Sequence, residues 1–163
     1  MPESFPPLAF EAKICPPEEL SCRAALLPAP RVFTNGCFDI LHRGHVTYLA
    51  EARALGASLI VALNSDASVK RQGKGDDRPI NPLWDRLALI AALESVALVT
   101  WFEADTPLEV LLACRPEILV KGGDWPLARI VGAKEVRDWG GEAHSIPFRH
   151  ATSTTALLHK IRR

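Results

Sequence analysis

Thr34-Asn35-Gly36-Cys37-Phe38-Asp39-Ile40-Leu41-His42-Arg43-Gly44-His45 is the stretch on which the reading of the chain turns. A short apolar run beginning at Arg31 ends in a glycine, passes an acidic residue and enters a helical pattern through His-Arg-Gly-His. Outward from it, short β-type runs alternate with amphipathic stretches, which is the mark of βαβ units and a parallel sheet. Strands are expected at about 31–36, 58–64, 96–102, 117–121 and 142–147. The first helix is expected from Gly44 to Leu55, turning Val46, Leu49, Ala50 and Ala54 inward, with Gly56 as its C-terminal cap. The second takes Asn81 as N-cap and Pro82 as its first residue, and buries Leu83, Leu87, Ile90 and Ala91. A third follows Asp105-Thr106-Pro107, a fourth covers Val131 to Trp139, and the last begins near Ser153. The fold class is therefore α/β: a single Rossmann-like, doubly wound parallel five-stranded sheet over residues 31–163.

Residues 1–30 read as an arm outside the core. Pro2, Pro6, Pro7, Pro16, Pro17, Pro28 and Pro30 place seven of the 13 prolines there, around one short helix from Pro17 to Leu27. The whole chain has 163 residues, 48% of them hydrophobic, with 19 basic and 19 acidic side chains. Zero net charge argues against a general nucleic-acid or membrane-surface binder, which needs an excess of Lys and Arg. No apolar run approaches the length of a membrane span, and MPESFPPLAFEAK lacks the pattern of a signal peptide, so a cytoplasmic protein is expected. Cys15, Cys22, Cys37 and Cys114 have no CxxC spacing, and reduced thiols are the expectation.

In doubly wound sheets ligands bind beyond the carboxyl ends of the strands. His42 and His45, three apart at a helix start, share one face of its first turn with Gly44 between them. Free amides, the helix dipole and two imidazoles suit a phosphate. A lone histidine there is more often a cap or a packed ring; the whole loop, Thr34 to His45, favours the anion site. Cys37 has no dedicated base and reads as a small thiol, not a nucleophile. Asn64-Ser65-Asp66 closes the second strand, followed by a polar loop from Ala67 to Asp77 with Lys70, Arg71 and Lys74. Arg78 is fixed by the following Pro79. Lys121-Gly122-Gly123-Asp124 ends the fourth strand, where glycines allow backbone approach and the Asp suits ribose hydroxyls. Arg149 precedes Thr152-Ser153-Thr154-Thr155, more hydroxyls than one helix cap requires. Lys70, Arg71, Lys74, Arg78, Lys121 and Arg149 are thus expected around the histidines, with compensating acid in Glu3, Glu11, Glu18 and Glu19 of the arm.

The first loop resembles the HxGH signature of the nucleotidyltransferase superfamily. More closely, Val32 to Tyr48, Val61 to Asp66, Arg78 to Leu83, Leu119 to Asp124 and Ser153-Thr154-Thr155 resemble the adenylyltransferase domain of ADP-heptose synthases. The likeness covers roughly residues 31–160, and thirty preceding residues are too few for the sugar-kinase domain often fused upstream. Trp84 departs from the family, which usually carries a polar residue there.

The resemblance implies adenylyl transfer from ATP to D-glycero-β-D-manno-heptose 1-phosphate, with Mg²⁺ accompanying the nucleotide and a homodimer as the assembly. It implies His42, His45, Lys70 and Arg78 as catalytic. Thr34, Asn35, Gly36, Cys37, Phe38, Gly44, Lys121, Gly122, Asp124, Arg149, Thr152, Ser153 and Thr154 would hold the nucleotide. Asn64 and Asp66 would lie near the sugar phosphate; Asp39 would act there or place His42 or a metal. No metal ligand set is assigned. A glycerol-3-phosphate cytidylyltransferase-like enzyme and a non-catalytic adenine-nucleotide sensor are the alternatives; a Rossmann dehydrogenase is disfavoured because GxGxxG is missing after the first strand.

Overall fold

The computed structural model describes residues 6–163; Pro2 and Glu3 of the expected arm lie outside that range. Five parallel strands form one sheet in the order β3-β2-β1-β4-β5: β1 Arg31–Gly36, β2 Ser58–Asn64, β3 Leu98–Phe102, β4 Ile118–Gly122 and β5 Glu142–Ile146. The helices are α1 Leu20–Ala25, α2 Arg43–Ala54, α3 Asp66–Arg71, α4 Leu83–Ala91, α5 Leu108–Cys114, α6 Ala133–Asp138 and α7 Thr154–Ile161. The fold class expected from the sequence is the one observed, and the order reverses between β1 and β4, where a ligand crevice forms.

β2 is buried along its whole length, as a central strand covered on both faces must be. Apolar clusters lie on the two faces, one around Phe33, Ile60, Leu111 and Leu119, the other around Leu49, Leu59, Leu87 and Ile90. The first cluster corrects the reading of residues 1–30 as lying outside the core. Cys15, Leu20 and Ala24 are wholly buried in it, and Ile14 makes a parallel bridge to Val99 on β3. Dense prolines set turns here without keeping the intervening apolar side chains at the surface.

Two helix details also differ. In α2 the buried residues are Gly44, Tyr48, Leu49 and Ala52, while Val46, Ala50 and Ala54 are exposed. Tyr48 turns inward because its hydroxyl shares a 2.5 Å hydrogen bond with Thr34, so a polar atom is buried with a partner. Gly56 does not cap the helix, since Leu55 occupies the C-cap in right-handed conformation. A Cβ at Gly56 would lie 2.5 Å from the Pro30 carbonyl oxygen, so the glycine allows the chain to pass β1's entrance. In α4 the cap is Pro82, one residue later than expected, because the Asn81 side chain donates to the Asp39 carbonyl instead.

Candidate active site

A cavity of about 480 Å³ opens beyond the carboxyl end of β1. Asn35 to Asp39 form one wall, Lys121 and Gly122 from β4 the opposite one, and Thr152 to Thr155 at the start of α7 a third. His42, His45, Tyr48, Lys74, Arg78 and Phe148 complete it. Four loops separated by up to 120 residues thus meet where the strand order reverses.

His42 is the N-cap of α2, and its Nδ1 accepts from the Gly44 amide at 3.1 Å. A ring that accepts at Nδ1 carries its proton on Nε2 when neutral, leaving that N–H as a donor. A Cβ on Gly44 would stand 2.9 Å from the His42 ring, so the missing side chain makes room for that ring. The His45 ring stacks on His42 at 3.8 Å between centroids, with Phe38 edge-on at 5.2 Å. Its Nδ1 is buried with no hydrogen-bond partner. Burial lowers the pKa of both rings; for His45 burial and then the neighbouring His42 bring it down to about 4. In the unliganded chain both rings are therefore neutral at pH 7.

This has a consequence for stability. The unfolded chain protonates His45 near 6.5 and the folded chain only near 4, so between those values the unfolded state binds more protons. The contribution is complete above about pH 6.5 and is lost as the pH falls toward 4. The thermal midpoint is expected to fall across that window, and to fall less in His45→Gln; equal slopes for the two proteins would contradict a buried neutral ring.

Positive charge in the cavity comes instead from Lys74, Arg78 and Lys121. Burial, and then repulsion from Lys74, lowers the Lys121 pKa. Two lysines facing one space without a carboxylate between them are relieved by an anion. Arg78 is buried, and its Nε donates to Asp39 Oδ2 at 2.5 Å. Asp39 also accepts from the Ile80 and Asn81 amides, each at 2.9 Å. Burial raises the Asp39 pKa, but those two amides and the Arg78 guanidinium outweigh it and hold the carboxylate ionised below its ordinary range. Asp39 thereby fixes Arg78 and the 80–81 segment at the cavity wall. It is also the one carboxylate lining the cavity among the described residues, and these side chains do not form a protein-held metal site.

Several other expected residues belong elsewhere. Thr34 is wholly buried against Tyr48. Residues 66–71 form α3 and not a loop, which leaves Lys70 exposed and outside the cavity. Asp66 pairs with Arg86 at 2.7 Å, and Arg71 with Asp105 at 2.7 Å. Arg149 pairs with Glu51 on α2, and Asp124 is exposed on the rim without lining the cavity. Each misplaced arginine has a nearer carboxylate than the cavity offers. Asn64 is buried, donating to Ser68 at 3.0 Å, and faces a smaller adjoining cavity. The hydroxyl segment does reach the site: Ser153 caps α7 through the Ala156 amide, Thr154 donates to the Ile40 carbonyl at 3.3 Å, and Thr152 and Thr155 line the space beside them.

Sequence reasoning missed Arg86, which is wholly buried in α4. It donates to the carbonyls of Asn81 (3.0 Å), Cys37 (2.9 Å) and Asn64 (2.8 Å) as well as to Asp66. These bonds tie the ends of β1 and β2 to the start of α4. Tyr48 and Phe148, ring centroids 6.0 Å apart, were also missed as cavity walls.

Neutral imidazole donors, three cations and a hydroxyl-rich helix start around one crevice describe a site for moving a phosphoryl-linked group, the work of nucleotidyltransferases. Comparison with known proteins agrees: the chain belongs to the cytidylyltransferase-like family, whose model matches residues 33–157. It is 55% identical to a D-beta-D-heptose 1-phosphate adenylyltransferase of Bordetella bronchiseptica, over 94% of this chain and 96% of that protein. It is 54% identical to the bifunctional protein HldE of Escherichia coli over 80% of this chain, a match that spans only 27% of that longer protein. Among solved structures, a lipopolysaccharide core biosynthesis protein from Thermoplasma volcanium superposes with a TM-score of 0.62 at 28% identity, over 75% of this chain and 98% of that one. A pantoate-beta-alanine ligase from Francisella tularensis, 13% identical with a TM-score of 0.58 over 84% of this chain and 67% of that one, shares the fold.

Proposed function

We infer that this chain is a heptose 1-phosphate adenylyltransferase: it joins the adenylyl group of ATP to a heptose 1-phosphate, giving ADP-heptose and pyrophosphate. The observation that carries the reading is the 55% identity across nearly all of both chains to an enzyme of that name. The geometry supports the same chemistry. The acceptor's phosphate oxygen attacks the α-phosphorus in line; because that nucleophile is already anionic, no general base is required. Positioning and charge stabilisation remain. His42 and His45 line the cavity and would donate to the α-phosphoryl group, while Lys74, Arg78 and Lys121, which line it too, would offset charge on the phosphates. Thr152 to Thr155, with the first amides of α7 free of intrahelical acceptors, would receive the departing pyrophosphate. Mg²⁺ enters as part of the nucleotide substrate, held by its phosphates. The β-anomer and D-glycero-D-manno configuration, a homodimeric assembly and a cytoplasmic location belong to this proposal; among the described residues no helix is long and apolar enough to cross a membrane.

Pyrophosphate release tests it. Turnover is expected with ATP and heptose 1-phosphate and not with CTP and glycerol 3-phosphate; release with the second pair alone would favour the cytidylyltransferase reading. Nucleotide binding without release for any sugar phosphate would favour a sensor.

A further inference from the structure

We propose that the smaller cavity is the seat of the acceptor's sugar, with Trp125 as its platform and Gln72 and Asp105 reading its hydroxyls. The inference rests on the adenylyltransferase reading above. The cavity, about 210 Å³, adjoins the larger one, and Asn35 and Lys121 line both. Transfer between two substrates needs two spaces that meet at the transferred phosphorus, and Lys121 stands on that boundary.

The two spaces differ in chemistry. The larger has the histidines and the hydroxyl segment, suited to a triphosphate. The smaller has amides, a carboxylate and an indole, suited to a neutral polyol attached to one phosphate. Asp105 has Oδ1 engaged by Arg71 Nε at 2.7 Å, which fixes the carboxylate and leaves Oδ2 to accept from a hydroxyl. Gln72 accepts the Cys37 thiol at 3.3 Å through Oε1, so its amide N–H groups remain to donate. Trp125 is held before any ligand arrives. Its Nε1 donates to the Gly122 carbonyl at 3.1 Å, its backbone amide donates to Ser145 Oγ at 3.0 Å, and the Lys121 ammonium lies 5.8 Å from the ring centroid. A fixed indole presents a flat apolar face to the C–H side of a sugar while the polar groups take its edge. Arg129 adds a second cation for the acceptor's phosphate.

Steady-state kinetics with ATP and heptose 1-phosphate, repeated with mannose 1-phosphate as a hexose lacking the extra carbon, tests the assignment. Asp105→Asn and Trp125→Ala are both at exposed positions and should fold. Each is expected to raise KM for heptose 1-phosphate by roughly tenfold to a hundredfold. KM for ATP should stay within about twofold, and preference for heptose over hexose should shrink. An active wild type whose variants keep both KM values and that preference would overturn this inference alone. A wild type inactive on both sugars would overturn the adenylyltransferase reading and this inference with it.

Discussion

Arg86→Ala is expected to cost about 3–5 kcal/mol of folding stability, the range for breaking a buried charge network by removing one partner. In a chain of this length that is a fall of roughly 6 to 20 °C in the thermal midpoint. The guanidinium is wholly buried and donates to three backbone carbonyls from three different segments as well as to Asp66. Alanine leaves those carbonyls without donors and a cavity where the side chain was. Asp66→Asn provides the contrast, because its amide oxygen can still accept from Arg86 and the three carbonyl bonds remain. Its cost should be smaller than that of Arg86→Ala. Thermal or urea denaturation of both variants measures the difference. A loss below about 1 kcal/mol for Arg86→Ala would mean that the strand ends are held by something else.

His45→Ala is expected to lower kcat by about 100- to 1,000-fold, as removal of one preorganised donor to a developing charge does. Near-normal turnover by a purified, folded variant would refute the proposed role. The variant should fold, since the helix cap is His42 and not His45. A ring held neutral by burial in the unliganded chain would act on the transition state by hydrogen bonding at a defined place. KM for ATP should move less than kcat, because the contact strengthens as charge builds on the α-phosphoryl oxygens.

The strands were readable because apolar runs of this length bounded by turn residues have few alternatives, and β1 and β2 begin and end where the sequence places them. The loops beyond them were readable for the same reason: residues such as Asn35, Lys121 and Ser153 lie in the cavity because the sheet order brings their strand ends together. Long-range polar pairing was not readable. Arg78 finds Asp39, Arg86 finds Asp66 and Arg149 finds Glu51 across separations that no local pattern encodes. Periodicity assigns every charged residue to the surface, so it passed over Arg86 and could not separate Lys74, which reaches the cavity, from Lys70, which α3 turns outward. Tyr48 was lost for the related reason that its hydroxyl counts as polar until Thr34 is seen opposite.

Residues 14–17 also bear on how the chain behaves in a crowded solution. β3 is an outermost strand, the kind of unpaired margin onto which another polypeptide can add itself and begin to aggregate. That margin is partly stoppered: the Cys15 amide donates to the Val99 carbonyl at 2.8 Å, and Pro16 and Pro17 follow at once with no N–H to extend the pairing. This part of the arm acts as a built-in selvedge, closing the fabric of the sheet against its neighbours.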